Sequence, residues 1–388
     1  MRVAILSLYP RDPNRIAGGV RAAVYYLVQG LRASGDLDLH VVHCHSDITA
    51  DADVQRDGAS LHFRAMPRRR VVPNLFRGVS RVQRELRQLA PDVVHAHVPH
   101  YAVAAIRAGF PTIYTVHGVQ HREAESYRAS WFDRARFALA GSYDRFAVRH
   151  ADRVVAISEY VLSEYRGLRA QGWERVDNPV ADAFFSLPRR EERDRVQYVG
   201  SITEVKDLLT LLRAVARARP QRPSLRLHLA GRVTSPRYAD RLRAFVRAHD
   251  LDNTVRFEGL LNREELCAAY SQAAVVVLPS RQENAPLAVI EAMASGVPVV
   301  ATRVGGIPDL VAENETGCLF PSGNDEALAA QLLDLLADDQ RRRRLGHAAR
   351  RQARRRFRAE AVARRYHDLY RQVGGQASGG SEDVRRET

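Results

Sequence analysis

The chain of 388 residues has one lysine, Lys206, so that 58 of its 59 basic residues are arginine. Its three cysteines, Cys44, Cys267 and Cys318, lie far apart and form no CxxC pair. That spacing argues against a zinc site and against a disulfide framework, and it suits a reducing cytosol. No apolar run approaches the roughly 20 residues that span a bilayer. We therefore expect a cytoplasmic protein, which is in solution or is attached peripherally to the inner face of the cell membrane.

The net charge of the chain is strongly positive, at +14, with an isoelectric point near 10.2. Such a charge favours an anionic partner or surface. Nucleic acid, acidic lipid and phosphorylated substrates all qualify, and charge alone does not choose among them.

The length exceeds what one hydrophobic core supports, so two domains are expected. Short apolar runs alternate with longer amphipathic segments, which predicts parallel sheets with crossover helices. The runs predicted as strands are VAILSLY, LDLHVVHCH, SLHFRAM, DVVHAHV, TIYTVHG, RVVAIS, VQYVGS, LRLHLAG, TVRFEGL, AVVVLPS and VPVVATR. The predicted domains are residues 1–182 and 193–359, with a helix at about 360–373 packing back on the first domain. The N-terminal run MRVAILSLYP is interpreted as a first strand and not as a signal peptide. The closing residues 374–388 have little to bury and are predicted to be disordered.

Two glutamates spaced eight apart give the sharpest chemical signal. Glu283 and Glu291 lie in SRQENAPLAVIEAMASGVPVVATRVGG, directly after the apolar run AVVVLPS. A helix that begins near Ala285 would place Glu283 at its mouth and Glu291 almost two turns inside. Helix N-termini at the carboxyl ends of parallel strands favour phosphate, and the carboxylates could accept hydrogen bonds from sugar and ribose hydroxyls.

This stretch resembles the E-x7-E motif of the retaining glycosyltransferases of family 4. Further landmarks of the same family cover most of the chain: AGGV, DVVHAH, TVHG, HADRVVAIS, DNPV, YVGSITEVKD and NREELCAAYSQAAVVVLPS. The resemblance implies the α/β GT-B architecture, in which two Rossmann-like domains with parallel sheets face each other across a cleft. It also implies a nucleoside diphosphate sugar as donor, with UDP favoured and GDP possible, and no metal or other cofactor.

The resemblance gives Lys206 the role of holding the donor diphosphate, which a compact ammonium on a flexible stem suits. The family often has arginine directly after the glycine of this motif, where the present chain has Ser201. Either Ser201 donates a weaker hydrogen bond, or another arginine, such as Arg232, replaces the missing cation.

Four further parts of the donor or active site are implied by the resemblance. Gly18 and Gly19 match the glycine-rich donor loop, although alone such a pair equally fits an ordinary turn. His117 matches the active-site histidine near the transferred sugar. Glu283 is expected at the sugar and Glu291 at the ribose. The residues expected at the helix start facing the donor are Asn284, Ala285, Pro286 and Leu287.

Two patterns superficially suggest metal sites. DLD at Asp36 and DAD at Asp51 match the DxD of other glycosyltransferases, and His97, His100 and His121 lie near predicted strand ends. We interpret the aspartates as residues of surface turns. The three histidines lack the HExxH spacing of a zinc site, so we interpret them as sheet-end or acceptor-side residues.

The acceptor is less defined than the donor. Residues 64–87 carry eight arginines and one acid, with apolar residues between them. This segment fits an anionic membrane surface and equally fits a basic helix whose apolar side packs on the core. The predicted acceptor is a hydroxyl of a glycan, a lipid-linked sugar or a small molecule.

The leading hypothesis is a retaining, metal-independent hexosyltransferase. A GT-B sugar-nucleotide epimerase or a phosphorylase shares the architecture and stays an alternative. A nucleic-acid-binding protein is suggested by charge only, because the sequence has no recognisable reading motif, and we expect no nucleic-acid partner.

Overall fold

The computed structural model describes residues 1–66, 71–119, 122, 131–168 and 172–379 of the chain. They form two compact units. The described residues of the first lie within 1–9, 23–179 and 359–379, and those of the second within 10–22 and 180–358. Both units alternate strands with helices, which confirms the predicted α/β fold with two parallel-sheet domains.

The first unit contains an eight-stranded sheet in the order β3-β4-β2-β1-β5-β6-β7-β8. All neighbouring strands are parallel except β3, which runs antiparallel to β4 at the edge. The strands are β1 (Arg2–Leu6), β2 (Asp38–His45), β3 (Ala52–Arg56), β4 (Ala59–Ala65), β5 (Val93–Ala96), β6 (Thr112–Val116), β7 (Arg153–Ala156) and β8 (Trp173–Arg175).

Helices cover this sheet because its central strands are apolar on both faces. Residues 3–6 of β1 and all of β5 and β6 are buried, as expected for a parallel sheet enclosed by crossover helices. The helices of this part of the chain are α1 (Gly19–Leu31), α2 (Val71–Leu89), α3 (Pro99–Arg107), α4 (Trp131–His150), α5 (Glu159–Tyr165) and, after the second unit, α14 (Ala359–Gly379).

The second unit contains a six-stranded parallel sheet in the order β11-β10-β9-β12-β13-β14. The strands are β9 (Arg195–Val199), β10 (Arg226–Ala230), β11 (Val255–Gly259), β12 (Val275–Leu278), β13 (Val299–Thr302) and β14 (Gly317–Phe320). The order reverses between β9 and β12, so a crevice for ligands is expected at the carboxyl ends of these two strands.

The helices of the second unit are α6 (Asp182–Phe185), α7 (Leu208–Ala218), α8 (Pro236–Ala248), α9 (Arg263–Gln272), α10 (Leu287–Ala294), α11 (Ile307–Leu310), α12 (Asp325–Ala337) and α13 (Asp339–Arg356). Most of α7 is buried, with only a few residues exposed. No helix within the described ranges combines the length and the apolar character that a membrane span requires.

The unit boundaries differ from the predicted domain boundaries in three places. Residues 10–22 group with the second unit, although they lie within the predicted first domain. The segment between 182 and 193 also belongs to the second unit, where Phe184 and Phe185 of α6 are buried. The helix predicted at about 360–373 extends from Ala359 to Gly379 and so overlaps residues 374–379 of the tail, whose disorder stays a prediction. Residues 380–388 lie outside the described part.

The described residues of the basic segment 64–87 form ion pairs and apolar contacts within the first unit. Arg64 lies 2.9 Å from Glu85 and 2.8 Å from Asp53. Val82 and Leu86 of α2 are fully buried, as expected if the apolar side of the helix faces the core. Residues 67–70 and the side chains of residues 71–77 are outside the description, so membrane binding through this segment stays a prediction.

Candidate active site

Lys206 is held by a short turn that follows β9. Residues Glu204–Lys206 form a 3₁₀ turn, and the hydroxyl of Thr203 accepts a hydrogen bond from the amide of Val205 at 3.3 Å. The next residue, Asp207, has a left-handed backbone with φ +44°. Its buried carboxylate accepts a hydrogen bond from the hydroxyl of Thr210 at 2.9 Å, which joins the turn to the start of α7. The turn therefore fixes Lys206 at the carboxyl end of β9.

Glu283 lies on the loop that follows β12, the neighbour of β9 in the sheet. Ser280 donates a hydrogen bond to Oε1 of Glu283 at 2.7 Å. Arg281 connects this loop to the Lys206 turn, since its amide donates to the carbonyl of Val205 at 2.8 Å and its Nε to Asp207 at 3.1 Å. Two loops that are distant in sequence thus form one structure at the topological switch point.

The ammonium group of Lys206 contacts the carboxylate of Glu283. The Lys206 side chain is 21% exposed and that of Glu283 is 10% exposed, so each charge has lost much of its water and is compensated by the other. The two residues had been assigned to different parts of the donor, and their direct contact was not predicted. A donor phosphate that binds Lys206 would therefore compete with Glu283 for the ammonium and release the carboxylate toward sugar hydroxyls.

Glycine at position 305 lets another loop approach Glu283. Gly305 has φ +51°, and a β-carbon there would lie 1.8 Å from the carbonyl oxygen of Glu283. The amide of Gly306 donates a hydrogen bond to the same oxygen at 3.1 Å. The backbone of Glu283 is thus positioned by direct contact with the loop after β13.

The helix after Glu283 begins later than predicted. Helix α10 starts at Leu287 rather than near Ala285, with Pro286 as its N-cap residue. Glu291 is consequently the fifth helical residue, about one turn inside the helix, and not almost two turns inside. Its side chain is buried, and the hydroxyl of Tyr270 donates a hydrogen bond to its Oε2 at 2.9 Å. Asn284 and Ala285 are also buried.

The remaining predicted donor residues lie in three segments of the second unit. Ser201 follows β9 and Arg232 follows β10, and these loops are joined because the amide of Ile202 donates to the carbonyl of Arg232 at 2.9 Å. Arg232 is exposed. Gly18 has φ +105°, which favours glycine, whereas Gly19 is the first residue of α1; at both positions no atom lies within 4 Å of where a β-carbon would be.

His117 belongs to the first unit, where it directly follows β6. Its Nε2 lies 2.8 Å from Nδ1 of His97, which follows β5. Burial lowers the pKa of His117 to about 4. Burial, together with the charges of His95 and His117, also places the pKa of His97 well below its usual value. At neutral pH this pair is uncharged and shares one hydrogen bond.

Protonation of His117 should therefore destabilise the fold in acid. In the unfolded chain histidine titrates near pH 6.5, so between pH 6.5 and about 4 the unfolded state binds a proton that the folded state does not. We expect the free energy of unfolding to fall as the pH decreases through this window. Urea unfolding at pH 7 and pH 4.5 should show a smaller loss for His117→Gln than for the unmodified protein.

The matched control for this measurement is His150→Gln, which removes an exposed histidine of the same unit. That variant should retain the pH dependence of the unmodified protein. An equal loss of stability in His117→Gln and in the unmodified protein would contradict the assignment of the acid sensitivity to His117.

Several supporting residues were not singled out from the sequence, namely Asp207, Tyr270, Ser280, Arg281 and Gly305. All of them lie within the stretches YVGSITEVKD, NREELCAAYSQAAVVVLPS and SRQENAPLAVIEAMASGVPVVATRVGG, so the resemblance contained a signal for each. Both DxD sequences have carboxylates that pair with basic groups, for example Asp36 with His367 at 2.9 Å and Asp53 with His62 at 2.7 Å. His121 lies outside the described residues.

Comparisons with known proteins match nearly the whole chain. The model for glycosyl transferases group 1 matches residues 180–352, and that for Glycosyltransferase Family 4 matches residues 17–182. The chain is 29% identical to a sulfoquinovosyl transferase of Arabidopsis thaliana over 362 residues, which cover 87% of this chain and 68% of that protein.

Two solved structures share the fold along nearly their whole length. Sucrose-phosphate synthase from Thermosynechococcus elongatus aligns with a TM-score of 0.83 and 23% identity, covering 97% of this chain and 99% of that one. HepE of Anabaena, in complex with UDP and glucose, aligns with a TM-score of 0.72 and 18% identity, covering 95% and 98%.

Proposed function

The chain belongs to the group 1 glycosyl transferases of glycosyltransferase family 4, and we propose that it moves the sugar of a UDP-sugar to an acceptor hydroxyl with retention of anomeric configuration. The observation that carries this proposal is the Lys206–Glu283 contact at the carboxyl ends of β9 and β12. It provides one cation and one carboxylate where an open α/β sheet binds its ligand. UDP is chosen over GDP because HepE, which has the same fold, has been solved with UDP.

Lys206 is assigned to the diphosphate. As the bond between the anomeric carbon and the phosphate oxygen breaks, negative charge develops on the departing UDP, and a nearby ammonium stabilises it. The start of α10, which follows the Glu283 loop, adds the partial positive charge of a helix N-terminus. Glu283 accepts hydrogen bonds from sugar hydroxyls, and Glu291 accepts them from the ribose, with Tyr270 holding its other oxygen.

The reaction needs no protein nucleophile in this proposal. The acceptor oxygen forms its bond to the anomeric carbon on the face from which UDP departs, and the acceptor proton passes to the departing phosphate oxygen. Catalysis then consists of positioning and charge stabilisation. His117, uncharged at neutral pH, donates or accepts a hydrogen bond at a sugar hydroxyl.

We further propose that donor binding requires no metal, because Lys206 provides the countercharge to the diphosphate. Carbohydrate, lipid-linked sugar and small-molecule acceptors remain candidates that only transfer assays distinguish. A phosphorylase or an epimerase of the same architecture would differ in its requirements. The former would need inorganic phosphate, and the latter would convert the sugar nucleotide without any acceptor.

The test is thermal unfolding with UDP, GDP or ADP, each with and without EDTA. A ligand that binds only the folded state at about 100 times its Kd stabilises it by about 2.7 kcal/mol. We expect UDP to raise the Tm by several degrees, equally with EDTA present, and the other nucleotides to raise it less. A shift with GDP alone would overturn the choice of base, and a shift that EDTA abolishes would overturn metal independence. The absence of any shift would overturn the donor class.

A further inference from the structure

Two histidines and an aspartate meet at the carboxyl end of β2 in the first unit. His43 and His45 belong to the strand, and Asp47 lies in the turn that follows. Each residue offers one ligand atom, and these atoms all lie within 4.8 Å of one another. Among the residues the structure describes, no other group of three or more histidine, cysteine, aspartate or glutamate side chains has this geometry.

The distances within the group suit a metal ion. Nε2 of His43 lies 3.2 Å from Oδ1 of Asp47. Two ligands that are each about 2.0–2.1 Å from a tetrahedral zinc ion are separated by roughly 3.3 Å. Nδ1 of His45 lies 2.7 Å from the same carboxylate oxygen, so this ring needs to move by only about half an ångström to reach that separation.

The ring of His43 has a backbone partner that can orient it for ligation. His43 is 1% exposed, and its Nδ1 either donates to the carbonyl oxygen of Tyr9 at 3.1 Å or accepts from the amide of Tyr9 at 3.2 Å, according to the tautomer. In the tautomer with a proton on Nδ1, the ring donates to that carbonyl and presents the lone pair of Nε2 to Asp47. A carbonyl that fixes the distal nitrogen in this manner is the usual outer support of a histidine ligand.

The backbone around the ligands is fixed, while the ligand atoms stay accessible. The carbonyl of His45 accepts hydrogen bonds from the amides of Ile48 and Met66, and Ile48 is buried. The side chains of His45 and Asp47 are 43% and 36% exposed. An ion can thus enter from solvent, bind all three side chains and keep a fourth position open for water or for another ligand.

We propose that His43, His45 and Asp47 form a binding site for one divalent transition-metal ion of the zinc class. Imidazole and carboxylate ligands together suit Zn²⁺, Co²⁺ and Ni²⁺, whereas Mg²⁺ and Ca²⁺ prefer oxygen ligands. The site contains no cysteine, so the cysteine spacing of the sequence carried no signal for it. It is separate from the residues proposed to bind the donor diphosphate, all of which belong to residues 10–22 and 180–358.

The test is titration of the metal-stripped full-length protein with Zn²⁺ by calorimetry, and with Co²⁺ by visible absorption. We expect one Zn²⁺ per chain and no displacement by millimolar Mg²⁺. His43→Ala and Asp47→Asn should each weaken binding by about 100-fold or more. Asp47→Asn preserves the shape of a partly exposed side chain, so it tests the site even if the buried His43 proves necessary for folding.

His228→Ala is the matched control, because His228 also contacts a carboxylate, that of Glu258 at 2.8 Å, but is in no group of three. It should bind Zn²⁺ as the unmodified protein does. Binding that survives both His43→Ala and Asp47→Asn, or that requires millimolar Zn²⁺, would overturn the proposal. The Tm shift with UDP should be unchanged in Asp47→Asn, so a failure here is distinct from a failure of the proposed transfer activity.

Discussion

Replacing Lys206 with alanine is expected to lower kcat by about 10²- to 10³-fold, the usual loss when one preorganised group that stabilises developing negative charge is removed. No second lysine exists in the chain to replace it. The Glu283 carboxylate keeps its hydrogen bond from Ser280 at 2.7 Å, so folding should suffer much less than turnover. The measurements are initial transfer rates with saturating UDP-sugar and the Tm of each variant.

Arg217→Ala provides a matched control for this variant. Arg217 also belongs to the second unit and pairs with a carboxylate, that of Asp325, but its side chain is 59% exposed and lies on α7. Its loss should leave kcat within about twofold, because exposed ion pairs contribute little. Lys206→Met retains most of the stem without the charge and should be as impaired as the alanine variant. Full donor turnover by a natively stable Lys206→Ala protein would refute the assigned role.

Lys206→Arg asks whether charge or shape matters. Arginine keeps the positive charge, but its planar fork must fit beside Glu283, whose side chain is 10% exposed. We therefore expect a kcat between those of the alanine variant and the unmodified protein. A fully active arginine variant would show that the single lysine of an arginine-rich chain is not required by the geometry of the site.

The sequence predicted those strands that contain a continuous apolar run. Of the fourteen strands within the described residues, eleven correspond to predicted apolar runs, whereas β3, β8 and β14 were missed. Four of the five residues of β3 are exposed, and it runs antiparallel at a sheet edge, so it lacks the apolar run of a buried strand. Strand β8 has only three residues, too few to show a period.

The sequence predicted individual residues of the site, but it did not predict which of them contact each other. Lys206 and Glu283 are 77 positions apart, and they meet only because β9 and β12 are neighbours in the sheet. Strand order is a property of the whole domain, so no local pattern contains it. The start of α10 was placed two residues early because Pro286 fits both the N-cap and the first helical turn.

The second large effect is expected from Gly305→Ala, which should destabilise the protein by roughly 2–5 kcal/mol. The left-handed backbone at φ +51° costs a residue with a β-carbon about 1–2 kcal/mol. Contact of that carbon with the Glu283 carbonyl, 1.8 Å away, adds about 1–3 kcal/mol because backbone must move. A shift of Glu283 by about 1 Å would also lower kcat/KM by about 100-fold. Urea unfolding and transfer kinetics measure the two effects.

Gly323→Ala is the control that separates the cost of the left-handed backbone from the cost of the contact between the β-carbon and the Glu283 carbonyl. Gly323 also has a left-handed backbone, at φ +78°, but no atom lies within 4 Å of the position a β-carbon would take. It should lose only the conformational part, about 1–2 kcal/mol, and retain full activity. If both alanine variants lost the same stability and kept the same kcat/KM, the close approach of the loop after β13 would not be what positions Glu283. A selective loss in Gly305→Ala would instead show that the backbone of Glu283 is held in its working position by a glycine 22 residues away.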